Sequence, residues 1–440
     1  MLMKKPNIVF VFSDQLRAQA TGFGGNKQVH TPNMDRMARS GVVFETAVSN
    51  IPVCTPWRAA FLTGQYPLTN GVFLNDVRLS SRVPTLGTVL KDAGYHTGYI
   101  GKWHLDGPER SGFTPPGPRR QGFDFWAVGN CTHRYTNSLY YRDTPDPLYW
   151  DGYDAEDQTS LAVDFIHQQV DESPFALILS WGPPHNPYRD LPDKYLSMYP
   201  PEMVVARPNC PDPDPNDISG YYAHVPALDD QLGRLRTALE ESGRLENTIF
   251  VFTSDHGDML GSQGLQRKQH PWDESILVPF VMTFPGQACE GHSIKSPLNV
   301  VDIMPTLLGL ADVPIPDTVE GMDHTPAIRG ESFEGNSAAL TMAIAPFSEN
   351  RGLPWRGVRT ERHTYARRLD GPWLLYDNGR DPFQMENLID TPESVDLQAT
   401  LEKTLCDLLD ARNDAFLPPQ EYLDRFGFEV EESGAVPYTN

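Results

Sequence analysis

The sequence predicts an α/β fold: a large, mostly parallel sheet sandwiched by helices, followed by a smaller C-terminal α+β subdomain containing an antiparallel sheet. Three observations carry this expectation. Residues 7–12 (NIVFVF), 97–100 (TGYI), 175–179 (FALIL) and 248–252 (TIFVF) are short, uninterrupted apolar runs of the kind that form strands buried on both faces. Helical patterns lie between them, an alternation that indicates parallel strands with crossover helices. After about Pro316 the texture changes to short strand-like segments separated by turns.

The first run follows a basic start that mimics a leader. It is too short for the apolar part of a signal peptide, lacks a small-residue cleavage site and ends in Ser13-Asp14, so a buried strand is expected. Thr31-Pro32 places an N-cap and a first-turn proline ahead of a helix that Gly41 closes. Residues 84–93 form another, stopped by Gly94, and residues 154–170 and 218–242 read as longer amphipathic helices. A fifth apolar run covers 278–284, and the CPDPDP stretch at 210–215 is a surface loop. Segments 339–344, 357–360, 365–368 and 373–376 read as antiparallel strands, with a helix over 394–409. The expected division is a large α/β domain over 1–316 and an α+β subdomain over 317–440.

Composition narrows the function. The chain has 440 residues, 39% hydrophobic and 21% charged, and a formal net charge of −22, so it is globular and acidic. Nucleic acid and anionic membrane surfaces are therefore excluded as expected partners, since both select a basic face. The five cysteines, Cys54, Cys131, Cys210, Cys289 and Cys406, have no Cys-x-x-Cys spacing, which argues against a disulfide framework and a zinc ribbon. No stretch is long enough to span a bilayer. A cytoplasmic protein is expected from the sequence as it stands, periplasmic or secreted if a leader has been removed.

The expected strand ends carry the chemistry. The first run ends in Ser13-Asp14-Gln15, the second is followed by Gly101-Lys102-Trp103-His104, the third leads to Pro184-His185 and the fourth to Asp255-His256-Gly257-Asp258. Ligands of open parallel sheets bind outside the carboxyl ends of the strands, and four strands here deliver Asp, His or Lys to that edge. Asp14, Gln15, Asp255 and His256 are oxygen and imidazole donors suited to a divalent cation, although Asp14 alone could equally be a turn residue. Lys102 and His104 alternate, so both can face one site only if the chain bends between them. Pro56 and the apolar pattern after it indicate a helix beginning near Cys54, whose N-terminus favours an anion. Cys54 alone reads either as a buried structural thiol or as a thiolate nucleophile activated by that helix and His104. Asn75, Asp76 and Arg78, in the loop after Gly71, read as a polar loop rather than as the lining of a site mouth.

The residues from Cys54 to Gly64, Cys-Thr-Pro-Trp-Arg followed by Leu-Thr-Gly, resemble the signature of the formylglycine-dependent (type I) sulfatases of the alkaline phosphatase superfamily. The likeness extends from Pro6 to about Asp390, through Gly101-Lys102-Trp103-His104, Pro184-His185, Asp255-His256-Gly257, Lys268 and the Leu375-Tyr376-Asp377 tail. The resemblance implies a hydrolase of sulfate monoesters, with a sulfated carbohydrate as substrate and aryl sulfates as surrogates. Cys54 would be oxidised to formylglycine by a separate formylglycine-generating enzyme, and its hydrated form would attack sulfur. Asp14, Gln15, Asp255 and His256 would hold the metal with side chain 54, calcium first and manganese or magnesium as alternatives. Arg58 would hold the hydrated side chain, His104 would take its proton, Lys102 and Lys268 would bind sulfate, and His185 with Lys268 would protonate the leaving oxygen. Gln15 stands where many members have Asp, His256 where many have Asn, and Trp57 where a small residue is common. The first two changes also occur in members that hydrolyse phosphonate monoesters and phosphodiesters, which makes that activity the alternative.

Overall fold

The computed structural model describes residues 4–169 and 173–440. Its centre is an eight-stranded sheet built from β1 (Asn7–Asp14), β2 (Val42–Phe44), β3 (His96–Lys102), β4 (Phe125–Gly129), β5 (Phe175–Pro184), β6 (Thr248–Ser254), β7 (Phe280–Thr283) and β8 (His292–Ile294). The spatial order is β8-β2-β7-β6-β1-β5-β3-β4. β1 lies in the middle, parallel to both β5 and β6, with Ile8 opposite Ala176 on one side and Ile249 on the other. β7 runs antiparallel to both of its neighbours, and the other pairings are parallel.

The apolar runs form strands because both faces of the sheet are covered. Ile8, Phe10 and Phe12 of β1 enter one core, while Val9 and Val11, pointing the opposite way, enter the other. Each such fully buried side chain contributes about 1.5–3 kcal/mol relative to exposure. The first core is covered by α2 (Cys54–Thr63), α3 (Leu86–Asp92) and α6 (Ile303–Leu310), the second by α1 (Pro32–Ser40), α4 (Asp154–His167) and α5 (Pro215–Glu241). No helix among the described residues is long and apolar enough to cross a membrane.

Several local expectations shift. α1 has the expected bounds, but Thr31 does not cap it: its hydroxyl turns to Asp35 at 3.0 Å, and Asp229 of α5 accepts from the free backbone N–H groups of Asn33 and Met34. α3 begins two residues later than expected because Thr85 forms the capping box, and α5 begins three residues earlier, capped by Asp214. α4 ends at His167, and Val170 lies outside the described residues. The 278–284 run is not one strand. Leu277–Val278 pairs with Ala47–Val48 in a separate small sheet, and Phe280–Thr283 joins the main one. Pro279, which has no N–H to give a ladder, stands at the break.

Beyond Pro316 the expected antiparallel sheet is present as β9 (Ala338–Ala343), β10 (Trp355–Thr360), β11 (His363–Arg368) and β12 (Gly371–Asp377), in that spatial order. α7 (Val395–Asp410) packs on it.

Candidate active site

Asp14 ends β1, Lys102 ends β3, His185 follows β5, and Asp255 and His256 follow β6, so one edge of the sheet gathers all five side chains. Cys54, the first residue of α2, faces them. Its Sγ lies 3.6 Å from Asp14 Oδ1, 3.3 Å from His256 Nε2 and 2.9 Å from Lys268 Nζ. Lys102 Nζ donates to Asp14 Oδ2 at 2.7 Å. Arg58, one helical turn after Cys54, donates from Nη1 to Lys102 O and Ser180 Oγ, each at 2.7 Å. Its Nη2 contacts Asp14 Oδ2 at 3.3 Å and Asp255 Oδ2 at 3.4 Å.

Backbone conformation lets sequence neighbours share the site. Gln15 has φ 73° and His104 φ 56°, the left-handed region that non-glycine residues seldom occupy. The second of these is the bend required for Lys102 and His104 to face one place. At Gly101, φ is 101° and a Cβ would stand 2.1 Å from Ser180 O, so only glycine allows β3 to approach β5 as Lys102 enters the site.

The donor set fits a divalent cation. Ligand atoms of Asp14, Cys54, Asp255 and His256 all lie within 4.8 Å of one another and are buried. His256 Nδ1 is 2.9 Å from Gly257 O, so Nδ1 carries the hydrogen and Nε2 keeps its lone pair for the cluster. Gln15 Nε2 donates to Asp258 Oδ2 at 2.7 Å, and a carboxylate can only accept, so the amide orientation is fixed. Gln15 Oε1 is then a buried acceptor with no partner among the described residues, as a metal-ligating amide oxygen would be before binding. Oxygen and one imidazole nitrogen make a hard set suited to calcium, magnesium or manganese.

The charges are strongly coupled. Burial alone would raise Asp14, but Lys102, followed by His185, Lys268 and His256, holds it well below the usual carboxylate range. Asp255 moves upward, through burial and then the Asp14 charge. Burial and Asp14 oppose ionisation of Cys54, yet Lys102, Lys268 and His256 bring it well below an ordinary thiol. Burial depresses His185, and Lys268 and the stacked His133, 4.4 Å away between ring centres, depress it further. His185 is therefore a neutral ring whose Nδ1 donates to Asn186 O at 2.8 Å and whose Nε2 faces Lys268 Nζ at 3.2 Å. Arg58, Lys102 and Lys268 offset the negative charge of Asp14, Asp255 and side chain 54 here, inside a protein of net charge −22.

Nine of the ten residues singled out in the sequence, Asp14, Gln15, Cys54, Arg58, Lys102, His185, Asp255, His256 and Lys268, are joined by direct contacts in this cluster. His104 borders it through Cys54 and Cys131. Asp76 lies in a loop, as expected, but not a solvated one. It is 2% exposed and accepts from His104 Nε2 at 3.0 Å and from Arg110 at 2.7 and 2.8 Å. Nothing in its own neighbourhood of sequence signals that burial, because His104 and Arg110 are 28 and 34 residues away. Asp258 stood in plain view after Asp255-His256-Gly257. Its job, fixing Gln15 and accepting from Tyr188 Oη at 2.5 Å, appears only in three dimensions.

Known proteins resemble this chain along nearly its whole length. The family model described as Sulfatase matches residues 6–313, and that described as N-sulphoglucosamine sulphohydrolase, C-terminal, matches 261–411. The chain is 41% identical to an ulvan-active sulfatase of Formosa agariphila, covering 99% of this chain and 87% of the relative. It is 31% identical to an endo-4-O-sulfatase of Bacteroides thetaiotaomicron, covering 87% and 88%. A solved structure from work on glycosaminoglycan metabolism by the same bacterium superposes with a TM-score of 0.85 at 27% identity, covering 96% of this chain and 100% of that one. The first match takes in every residue of the cluster from Asp14 to Lys268, and the chain belongs to the sulfatase family, as a sulfuric ester hydrolase.

Proposed function

We propose that the protein hydrolyses sulfate monoesters of a carbohydrate with a formylglycine made from Cys54 and a divalent cation, calcium first. The observation that carries this reading is the placement of Cys54 Sγ, the atom standing where an oxygen on Cβ would be. It sits at a helix N-terminus within 3.6 Å of Asp14, His256 and Lys268. The names of the relatives, ulvan-active and endo-4-O-sulfatase, support a sulfated saccharide as substrate.

Hydrated formylglycine supplies two hydroxyls on one carbon, one to displace the ester and one to expel sulfate by C–O cleavage, and the cation supplies charge against the sulfuryl oxygens. Asp14, Gln15, Asp255, His256 and side chain 54 would hold that cation. Arg58 neutralises the two carboxylates and fixes the carbonyl of Lys102, which keeps the lysine on station. Lys102 and Lys268 bind the sulfuryl oxygens, where negative charge gathers in the transition state. Lys268 also gives a proton to the leaving oxygen, and neutral His185, accepting at Nε2, steers that ammonium. His104 accepts a proton from side chain 54. Maturation by a formylglycine-generating enzyme is part of the same reading.

The test has two halves. Peptide mass spectrometry at Cys54, after expression with the converting enzyme, should show sulfur and two hydrogens replaced by oxygen. The converted protein should then turn over nitrophenyl sulfate and sulfated saccharides faster than a nitrophenyl phosphonate. A much faster phosphonate reaction would replace this reading with a phosphonate monoester or phosphodiester hydrolase using the same residues. An unmodified thiol in an active enzyme would remove the formylglycine altogether.

A further inference from the structure

Resting on the role given to His104 above, we infer that Asp76, clamped by Arg110 under the ring of Tyr438, is the positioning residue that sets which nitrogen of His104 works. The ring of His104 is 2% exposed. Its Nε2 is 3.0 Å from Asp76 Oδ1, while Nδ1 is buried, makes no well-formed hydrogen bond among the described residues and is left to the neighbouring Cys54 and Cys131 thiols. Asp76 is itself fixed by a fork: Arg110 Nε reaches Oδ1 at 2.8 Å and Nη2 reaches Oδ2 at 2.7 Å. A carboxylate so held can only accept, so Nε2 must carry a hydrogen. In the neutral ring the lone pair is then on Nδ1, the atom left for proton transfer.

Two further observations show that this arrangement is built. Both Asp76 (φ 64°) and His104 (φ 56°) hold left-handed backbone conformations at non-glycine residues, each costing of order 1–3 kcal/mol. Arg110 is held from outside by the C-terminal tail. Its guanidinium lies 3.4 Å from the centre of the Tyr438 ring, and main-chain bonds join Arg110 N to Thr439 O at 2.8 Å and Thr439 N to Pro108 O at 3.0 Å. The chain of support therefore runs Tyr438, Arg110, Asp76, His104, and ties residues from near the end of the chain to the catalytic ring.

The test uses full-length protein with Cys54 converted and nitrophenyl sulfate as substrate. Asp76→Asn is nearly isosteric but sets an NH2 against an Arg110 donor in either amide orientation, so the clamped carboxylate that holds the hydrogen on Nε2 is lost. It should lower kcat by about 10²–10⁴ with KM little changed, since the ring and not the sulfate clamp is affected. In a His104→Ala background the same substitution should have no further effect, because Asp76 acts through the ring it orients. Tyr438→Ala should lower kcat several-fold and Tyr438→Phe should restore it, as a ring is all the guanidinium needs. Calcium-dependent thermal stabilisation, unchanged in all these variants, shows that the metal cluster is intact. Undiminished kcat in D76N, or an equal loss with and without His104, would overturn the positioning role while leaving the His104 assignment standing. Undiminished kcat in H104A would overturn both.

Discussion

Arg58 stands against two fully buried carboxylates, and its removal tests the electrostatic account of the cluster more directly than any activity measurement. Arg58→Met keeps most of the apolar stem that packs with its guanidinium carbon 4.8 Å from the centre of the Phe12 ring, and deletes only the charge and the donors. Asp14 retains Lys102 at 2.7 Å, whereas Asp255 loses the only Arg or Lys within salt-bridge distance among the described residues. Removing one partner of a buried pair typically costs about 3–5 kcal/mol, because an uncompensated charge is left behind. Two strong donations at 2.7 Å, to Lys102 O and Ser180 Oγ, vanish as well, so the upper part of that range is expected. Urea denaturation in chelator should therefore show a loss of about 4–5 kcal/mol, a large fraction of an ordinary protein's stability. In excess calcium the deficit should shrink, since the cation would neutralise the same carboxylates. A variant as stable as the parent in chelator would refute the reasoning, and an identical deficit with and without calcium would detach Arg58 from the cation site.

Two other predictions concern stability. Calcium at about 100 times its dissociation constant should raise the unfolding free energy by about 2.7 kcal/mol, and Asp14→Asn combined with Asp255→Asn should abolish the shift in thermal unfolding; no shift in the parent would remove the metal assignment. His224, fully buried with Nδ1 2.9 Å from Tyr153 Oη, is pushed by burial from 6.5 down to about 3. A histidine depressed in the folded state contributes stability that is whole above its unfolded value near 6.5 and is lost as pH falls below it. At pH 5 the loss should be about 2 kcal/mol, from 1.36 kcal/mol per unit. Urea titrations at pH 7.5 and pH 5 should show that loss in the parent and not in His224→Gln, and equal slopes would sink the assignment.

Residues whose partners are neighbours in sequence, or whose role follows from a strand end, were legible before the fold was known. The apolar runs that became β1, β3, β5 and β6 announced themselves because burial on both faces leaves no polar alternation, and Asp14, Lys102, His185 and Asp255 follow from where those strands stop. The short strands β2, β4 and β8, of three, five and three residues, carry too little pattern to be distinguished from loop. The cap of α1 is not legible in the sequence because the carboxylate that accepts from its first N–H groups, Asp229, sits 196 residues away from Asn33. Asp76 escaped for the same reason: a carboxylate in a loop looks solvated until the fold brings an imidazole and a guanidinium to it. Sequence shows what a residue can do. Distance decides what it does.

The central position of β1 has a temporal meaning. β1 precedes both of its neighbours in the sheet, which start at residues 175 and 248, so during synthesis this apolar ribbon has two bare edges until β5 is made and one until β6 is made. Such edges invite pairing with other chains, and pairings of this separation form slowly. Growth of the protein at low temperature or with abundant chaperones should raise its soluble yield for that reason.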